Sequence, residues 1–296
     1  MVRRMKTFLP VLAAIGLALG TAGAADKVKV ISFSTILTEI AEQVGGGAVN
    51  VISLVGPGVD PHEYQPTPGD LKQLAGARLI LASGKHIEHY LDKLQASAGG
   101  DAALVKVGDQ LPSLKMTEEE NPNTLVEDPH WWNSVPNVER ATKIVRDALI
   151  AAAPADKDVF TKNAAAYLTK LATLNQWIKQ EVALLPRDKR ELVSSHDAFQ
   201  YFARDYGFKI YAIEGISTEQ EASTKQVNDL IDTIKKAGVK AVFLEDTLNP
   251  KVSTEITRET GAKIGGTLYA DGLGAGVDSY DAMQRHNVTT IVEALK

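Results

Sequence analysis

The chain contains no cysteine. Disulfides, cysteine-ligated zinc, thiol catalysis and lipid attachment through an N-terminal cysteine are thereby excluded, so any metal must be held by His, Asp or Glu. Positive charge is also short. Lys and Arg number 32 against 37 Asp and Glu, a formal net charge of -5, and no basic patch follows the first few residues. Nucleic acid is therefore a poor partner. The apolar run Phe8 to Gly20 has only 13 residues, too few for a stable membrane span. There is no HExxH helix, which removes the commonest signature of a zinc hydrolase.

What is present begins with an export signal. Arg3, Arg4 and Lys6 form a basic start, the apolar run follows, and Ala22-Gly23-Ala24 supplies a small-residue cleavage pattern. Residues 1–24 read as a signal peptide, with the mature start near Ala25. Its removal takes away three basic residues and no acid, so the net charge moves from -5 to -8. The expectation is an acidic protein of the periplasm, a monomer, with enough chain for two medium domains.

Short apolar runs alternate with helical patterns. Val28 to Phe33, Val49 to Val55, Arg78 to Ala82 and Leu104 to Val107 read as buried strands. Helical stretches lie at Ile36 to Val44, Asp70 to Ala75, Ile87 to Ala96 and Asn137 to Ala152, and the polar, acidic Ser113 to Asp128 reads as a loop. From Asp156 to Leu185, apolar residues recur at spacings of three and four, with Pro154 before and Pro186 after. About 28 helical residues would run roughly 40 Å, either one long packing helix or a spine joining two lobes. Strands then read at Glu191 to Ser195, Phe208 to Ile213, Ala241 to Glu245 and Lys263 to Leu268, with helices at Ala198 to Tyr206, Thr224 to Ala237 and Pro250 to Thr260. The predicted fold is α/β: two (β/α) lobes with parallel sheets, residues 25–155 and 186–296, joined by one long backbone helix at 156–185.

Two of the six histidines sit in one repeated tripeptide, Asp60-Pro61-His62 and Asp128-Pro129-His130. Proline fixes its own φ and restricts the residue before it, and the aspartate can brace the turn through its carboxylate. Each turn thus presents an imidazole stiffly, as metal ligation demands. Ligands of parallel α/β sheets bind beyond the carboxyl ends of the strands. His62, His130, His196 and Asp271 all fall there. Three imidazoles and a carboxylate form a four-coordinate set suited to zinc. Each also has an ordinary reading: incidental histidines in Asp-Pro turns, a helix-capping His196, a turn aspartate beside Gly272. His86 and His89 would share one face of a helix, as a solvated face or a second weak metal site. His286 reads as a surface residue without partners.

The blocks Asp60-Pro61-His62-Glu63-Tyr64-Gln65-Pro66-Thr67-Pro68, Glu127-Asp128-Pro129-His130-Trp131 and Ser194-Ser195-His196-Asp197-Ala198-Phe199, with the Asp271 turn, resemble the metal-binding receptors of ABC transporters of the ZnuA and TroA type. The resemblance covers the mature chain. It implies two lobes on one long helix with the metal in the cleft, ligands at His62, His130, His196 and Asp271, and an ABC permease of the inner membrane as partner. Histidine at the third ligand position resembles the zinc receptors, where glutamate marks the manganese ones. Nitrogen-rich sites favour zinc on physical grounds too, and copper or nickel would also bind such donors. The chain departs from the pattern in three places. Ser113 to Asp128 carries no histidine, Glu221-Ala222-Ser223 stands where Glu-Pro-Ser is common, and Trp131-Trp132-Asn133 replaces an aliphatic residue and Asp-Pro.

The expected function is capture of a divalent metal ion, Zn2+ with Mn2+ as the alternative cargo, and its delivery to the permease, without enzyme activity. A secreted zinc hydrolase is the competing reading, if Asp271 is not a ligand and His62, His130 and His196 leave a position open for water. A siderophore receptor would need more aromatic or basic residues than the cleft positions offer. An adhesin role would leave the metal site in place.

Overall fold

The structure, a computed structural model, describes residues 26–91, 93–94, 101–117, 124–219 and 221–296. The signal peptide expected at residues 1–24 lies outside the described residues. The first sheet contains β1 (Val28–Ser32), β2 (Val49–Ser53), β3 (Leu79–Ala82) and β4 (Ala103–Lys106), all parallel in the order β2-β1-β3-β4. A short antiparallel hairpin follows, β5 (Lys115–Thr117) with β6 (Leu125–Glu127). The second sheet contains β7 (Glu191–Ser194), β8 (Lys209–Ala212), β9 (Ala241–Glu245) and β10 (Lys263–Leu268), parallel in the order β10-β9-β7-β8. In each sheet the chain first steps to one side of its opening strand and then to the other. The crevice at that reversal is where an open α/β sheet binds its ligand.

Helices α1 (Thr35–Gly45), α2 (Pro68–Leu74) and α3 (Val135–Ala152) serve the first lobe. α5 (Gln200–Tyr206), α6 (Thr224–Ala237), α7 (Lys251–Thr260) and α8 (Tyr280–Leu295) serve the second. Between them runs α4 (Lys157–Val182), which buries Phe160, Ala164, Tyr167, Leu171, Leu174, Ile178 and Val182 at the spacing read from the sequence. It touches both lobes. Asn163 Nδ2 donates to Val44 O at 3.1 Å and Tyr167 Oη to Glu39 Oε1 at 3.1 Å in α1, whereas Asn175 Oδ1 accepts from Tyr206 Oη at 2.9 Å and Trp177 lies under the Arg285 guanidinium. One continuous core takes in α1, α3, α4 and α8 together with the inner faces of both sheets. The lobes are therefore joined by packed apolar surface, and sliding them apart would cost burial.

Three segments differ from the sequence reading. The expected helix at Ile87 to Ala96 is absent over Gly84–Tyr90, and helix begins only at Leu91; residues 92 and 95–96 lie outside the described set. Gly84, Lys85 and His86 have φ of 79°, 53° and 67°, a left-handed turn. The Glu88 carboxylate holds it by accepting from Gly84 N–H at 2.9 Å, and Asp109 Oδ1 by accepting from Lys85 N–H at 2.7 Å. A Cβ on Gly84 would strike Asp109 Oδ1 at 2.5 Å, so this position requires glycine. His86 and His89 thus share no helix face, and both are exposed. The expected loop Ser113 to Asp128 contains the β5–β6 hairpin, although its acids Glu118, Glu119 and Glu120 lie outside the described residues. Finally, His286 has partners: its Nε2 lies 2.9 Å from Thr267 O, and its ring packs on Tyr269.

Candidate metal centre

Each Asp-Pro-His turn is braced as its sequence suggests. His62 N–H donates to Asp60 Oδ1 at 2.8 Å, and His130 N–H donates to Asp128 Oδ1 at 2.9 Å. The two turns aim their imidazoles at each other, with Nε2 to Nε2 at 3.1 Å. His196 enters from the second lobe just after β7, its Nε2 3.3 Å from that of His130. Helix α5 starts only at Gln200, so His196 lies in the preceding loop. Asp271 follows β10. Its Oδ1 is 3.8, 3.7 and 3.4 Å from the Nε2 atoms of His62, His130 and His196. All four sequence-predicted residues are therefore brought together, with potential ligand atoms within 4.8 Å of one another. An ion with tetrahedral bonds of about 2.0–2.1 Å has ligand-to-ligand edges of about 3.3 Å. The His62–His130 and His130–His196 pairs stand close to that spacing, and Asp271 is slightly wide of it.

The site is buried and charged. His130 and His196 expose no surface, and the Asp271 side chain exposes 1% of its own. Neither Asp271 oxygen accepts a hydrogen bond from the protein. Burial alone would raise its carboxyl, but the charges of His196 and His62 outweigh that and hold it well below the usual range. At 3.4 Å and beyond, these contacts act through charge rather than through aligned hydrogen bonds. Burial works against the His196 imidazolium, but the Glu245 and Asp271 carboxylates win and raise its pKa well above 6.5. Burial lowers that of His130, with His196 and His62 adding to it against Asp128. The two carboxylates thus favour a protonated His196, and the imidazoles favour an ionised Asp271. A cation must displace that proton, because only neutral imidazole binds metal. Protons should be released when the ion binds near neutral pH, and apparent affinity should rise with pH until His196 is neutral. Titration calorimetry in buffers of different ionisation enthalpy reads both.

The sequence reading had the aspartates bracing their turns, but it missed Glu245 and missed that Asp128 also holds the His130 ring. Glu245, the last residue of β9, accepts from Ser195 N–H at 2.9 Å and His196 N–H at 3.1 Å, and its other oxygen accepts a hydrogen bond from His196 Nδ1. Asp128 Oδ1 does the same for His130 Nδ1 at 2.9 Å. Both carboxylates fix the tautomer and direct Nε2 toward the ion. The one signal for Glu245 was an acid closing the otherwise apolar run Ala241-Val242-Phe243-Leu244. Trp132 Nε1 donates to Ala270 O at 2.7 Å, and Asn133 Nδ2 reaches both Ala198 O and Ala270 O at 3.0 Å. The Trp-Trp-Asn departure therefore ties the His130 turn to the His196 and Asp271 loops. Glu245→Gln should weaken metal binding about 10- to 100-fold, because the amide neither holds the imidazole by charge nor raises its basicity. Binding titration of that variant checks it.

The chain matches the family described as zinc-uptake complex component A, periplasmic (ZnuA), over residues 30–294. It belongs to that family. Its relatives include the manganese-binding lipoprotein MntA of Bacillus subtilis, 35% identical over 279 residues, which cover 92% of this chain and 90% of the relative. The iron-binding protein YfeA of Yersinia pestis is 33% identical over 91% of this chain and 86% of its own length. Among solved structures, the periplasmic zinc binding protein TroA from Treponema pallidum superposes with a TM-score of 0.85 at 32% identity, covering 91% of this chain and 99% of that one. The two-lobed α/β architecture on a long helix is thus the fold of this family.

Proposed function

We propose that this chain is the substrate-binding component of a metal ABC transporter, and that its cargo is zinc, held by His62, His130, His196 and Asp271. The observation that carries this is the convergence of three Nε2 atoms, 3.1 and 3.3 Å apart in neighbouring pairs, on a buried carboxylate with no hydrogen-bond donor. Lone pairs that close repel unless a cation or a shared proton lies between them. Two ligands come from each lobe, so a bound ion clasps the lobes. The protein works in the periplasm as a monomer in the two-lobed division 25–155, 156–185 and 186–296, after loss of residues 1–24. It gives the ion up to a permease of the inner membrane, and nucleic acid is not a partner.

Relatives named for manganese, iron and zinc leave the cargo to be argued from donor chemistry. Three nitrogens and one carboxylate suit zinc, which also outranks manganese and iron in the general affinity order; manganese prefers oxygen-rich sites. In a competitive titration zinc should bind at least about 100-fold tighter than manganese. Equal affinity or a manganese preference would reassign the cargo while leaving the four ligands in place. The relatives named above are binding proteins, and the Asp271 carboxylate stands at the position a catalytic water would need, so hydrolase activity is not proposed.

A further inference from the structure

A crevice between the lobes reaches the centre from outside. It is narrow, with about 10 Å³ of free space, room for a single water-sized sphere, and is lined by Ser34, Thr35 and Val55 from the first lobe and by Asp246, Thr247 and Asp271 from the second. Among the described residues its only charged groups are Asp246 and Asp271, with no Lys or Arg bordering it. Asp271 forms its inner end, with both oxygens buried and unpartnered, and the Thr247 hydroxyl is likewise buried without a partner. Asp246 stands at the exposed end. Its carboxylate lies against Gly274: a Cβ there would meet Asp246 Oδ2 at 2.4 Å and the Tyr269 ring at 2.0 Å, so glycine leaves room for both. Gly272 makes the next step of the same wall. Its φ is +151°, and a Cβ would strike Thr35 Oγ1 at 2.5 Å.

We infer that this crevice is the port through which the divalent cation enters, and that Asp246 is an outer capture carboxylate which hands the ion to Asp271. This rests on the metal-capture reading above. A low-dielectric cleft lined by one sign of charge concentrates counter-ions and raises association rates. Asp246 touches none of the three imidazoles, so it acts on the approach rather than as a fourth or fifth ligand. Thr247 and Ser34 offer neutral oxygens along the way, suited to an ion that is shedding its water.

The test is the rate of zinc association by stopped flow at low and high ionic strength. Trp132 packs on the His130 ring at 5.4 Å between centroids, so intrinsic fluorescence can report arrival. Asp246→Asn is nearly isosteric. It should slow association about three- to tenfold at low ionic strength, and the difference from wild type should vanish at high salt, where the field is screened. Asp246→Glu should recover most of the rate, and Asp232→Asn, an exposed acid on α6, should leave it unchanged. An unchanged rate for Asp246→Asn, a loss equal at both salt concentrations, or a Glu variant as slow as the Asn one would each overturn the assignment. If the wild-type protein itself takes up no zinc at equilibrium, the capture reading fails instead, and the two failures are distinguishable.

Discussion

Zinc affinity is expected to fall by about two to three orders of magnitude in His196→Ala. Four-ligand zinc sites bind with about 10–16 kcal/mol in all, so one ligand carries about 3–4 kcal/mol, or about 10²- to 10³-fold in Kd. His196 is the right member to remove, because it comes from the second lobe and its ring is oriented by the distant Glu245. Its loss also strands the Glu245 carboxylate, which is buried, without the imidazole it faces. The variant should therefore lose some metal-free stability as well, and a melting curve separates that from the binding defect. Calorimetric titration giving a Kd within about threefold of wild type would remove His196 from the ligand set.

Zinc at saturation should raise the melting temperature by about 10 °C. A ligand that binds only the folded state at 1,000 times its Kd adds about 4 kcal/mol, and each kcal/mol moves a domain of this size by about 2–4 °C. The gain should be large here for a structural reason. The ligands bridge the lobes, so the ion stabilises the interface as well as each turn. That interface is already knit by Thr218 Oγ1 donating to Asp60 Oδ2 at 2.7 Å, Tyr201 Oη to Asp128 O at 3.0 Å and Tyr280 Oη to Trp132 O at 2.7 Å. Two of these bonds end on residues of the Asp-Pro-His turns, so ion and interface should melt together in a single transition. No shift at saturating zinc would show that the ion does not clasp the lobes.

The sheets and the long helix were legible because their determinants are local. Parallel strands buried on both faces read as unbroken apolar runs, as Leu79–Ala82 does, and α4 carries a clean three-and-four spacing over its whole length. The β5–β6 hairpin was not, since each strand has three residues, two of them exposed, and exists only through its pairing. Helix α8 escaped notice although its buried positions recur at helical spacing, because two of them are the polar Gln284 and Asn287. Asn287 is spent on the site: it clamps the Asp271 loop by accepting from Tyr269 N–H at 2.9 Å and donating to Tyr269 O at 2.8 Å. The turn at Gly84–His86 defeated an apolar pattern that would otherwise continue as helix, because Glu88, four residues on, and the distant Asp109 reward a left-handed backbone there.

The same division runs through the centre itself. His62 and His130 announce themselves, since the aspartate that braces each is two residues away. His196 and Asp271 could be placed by strand ends and by resemblance to the ZnuA and TroA receptors. Glu245, 49 residues from the imidazole it orients, carried only the weak sign of an acid closing an apolar strand, and nothing that linked it to His196. Ligands are chosen by residue type and so leave a mark in the sequence; the groups that aim them are chosen by position in the fold.

X-ray absorption at the zinc edge of the loaded protein tests the four-ligand centre most directly. Binding by His62, His130, His196 and Asp271 requires a first shell of about four atoms at about 2.0–2.1 Å, with outer-shell scattering from three imidazoles. A six-coordinate, oxygen-dominated shell, or scattering from fewer than three imidazoles, would contradict it.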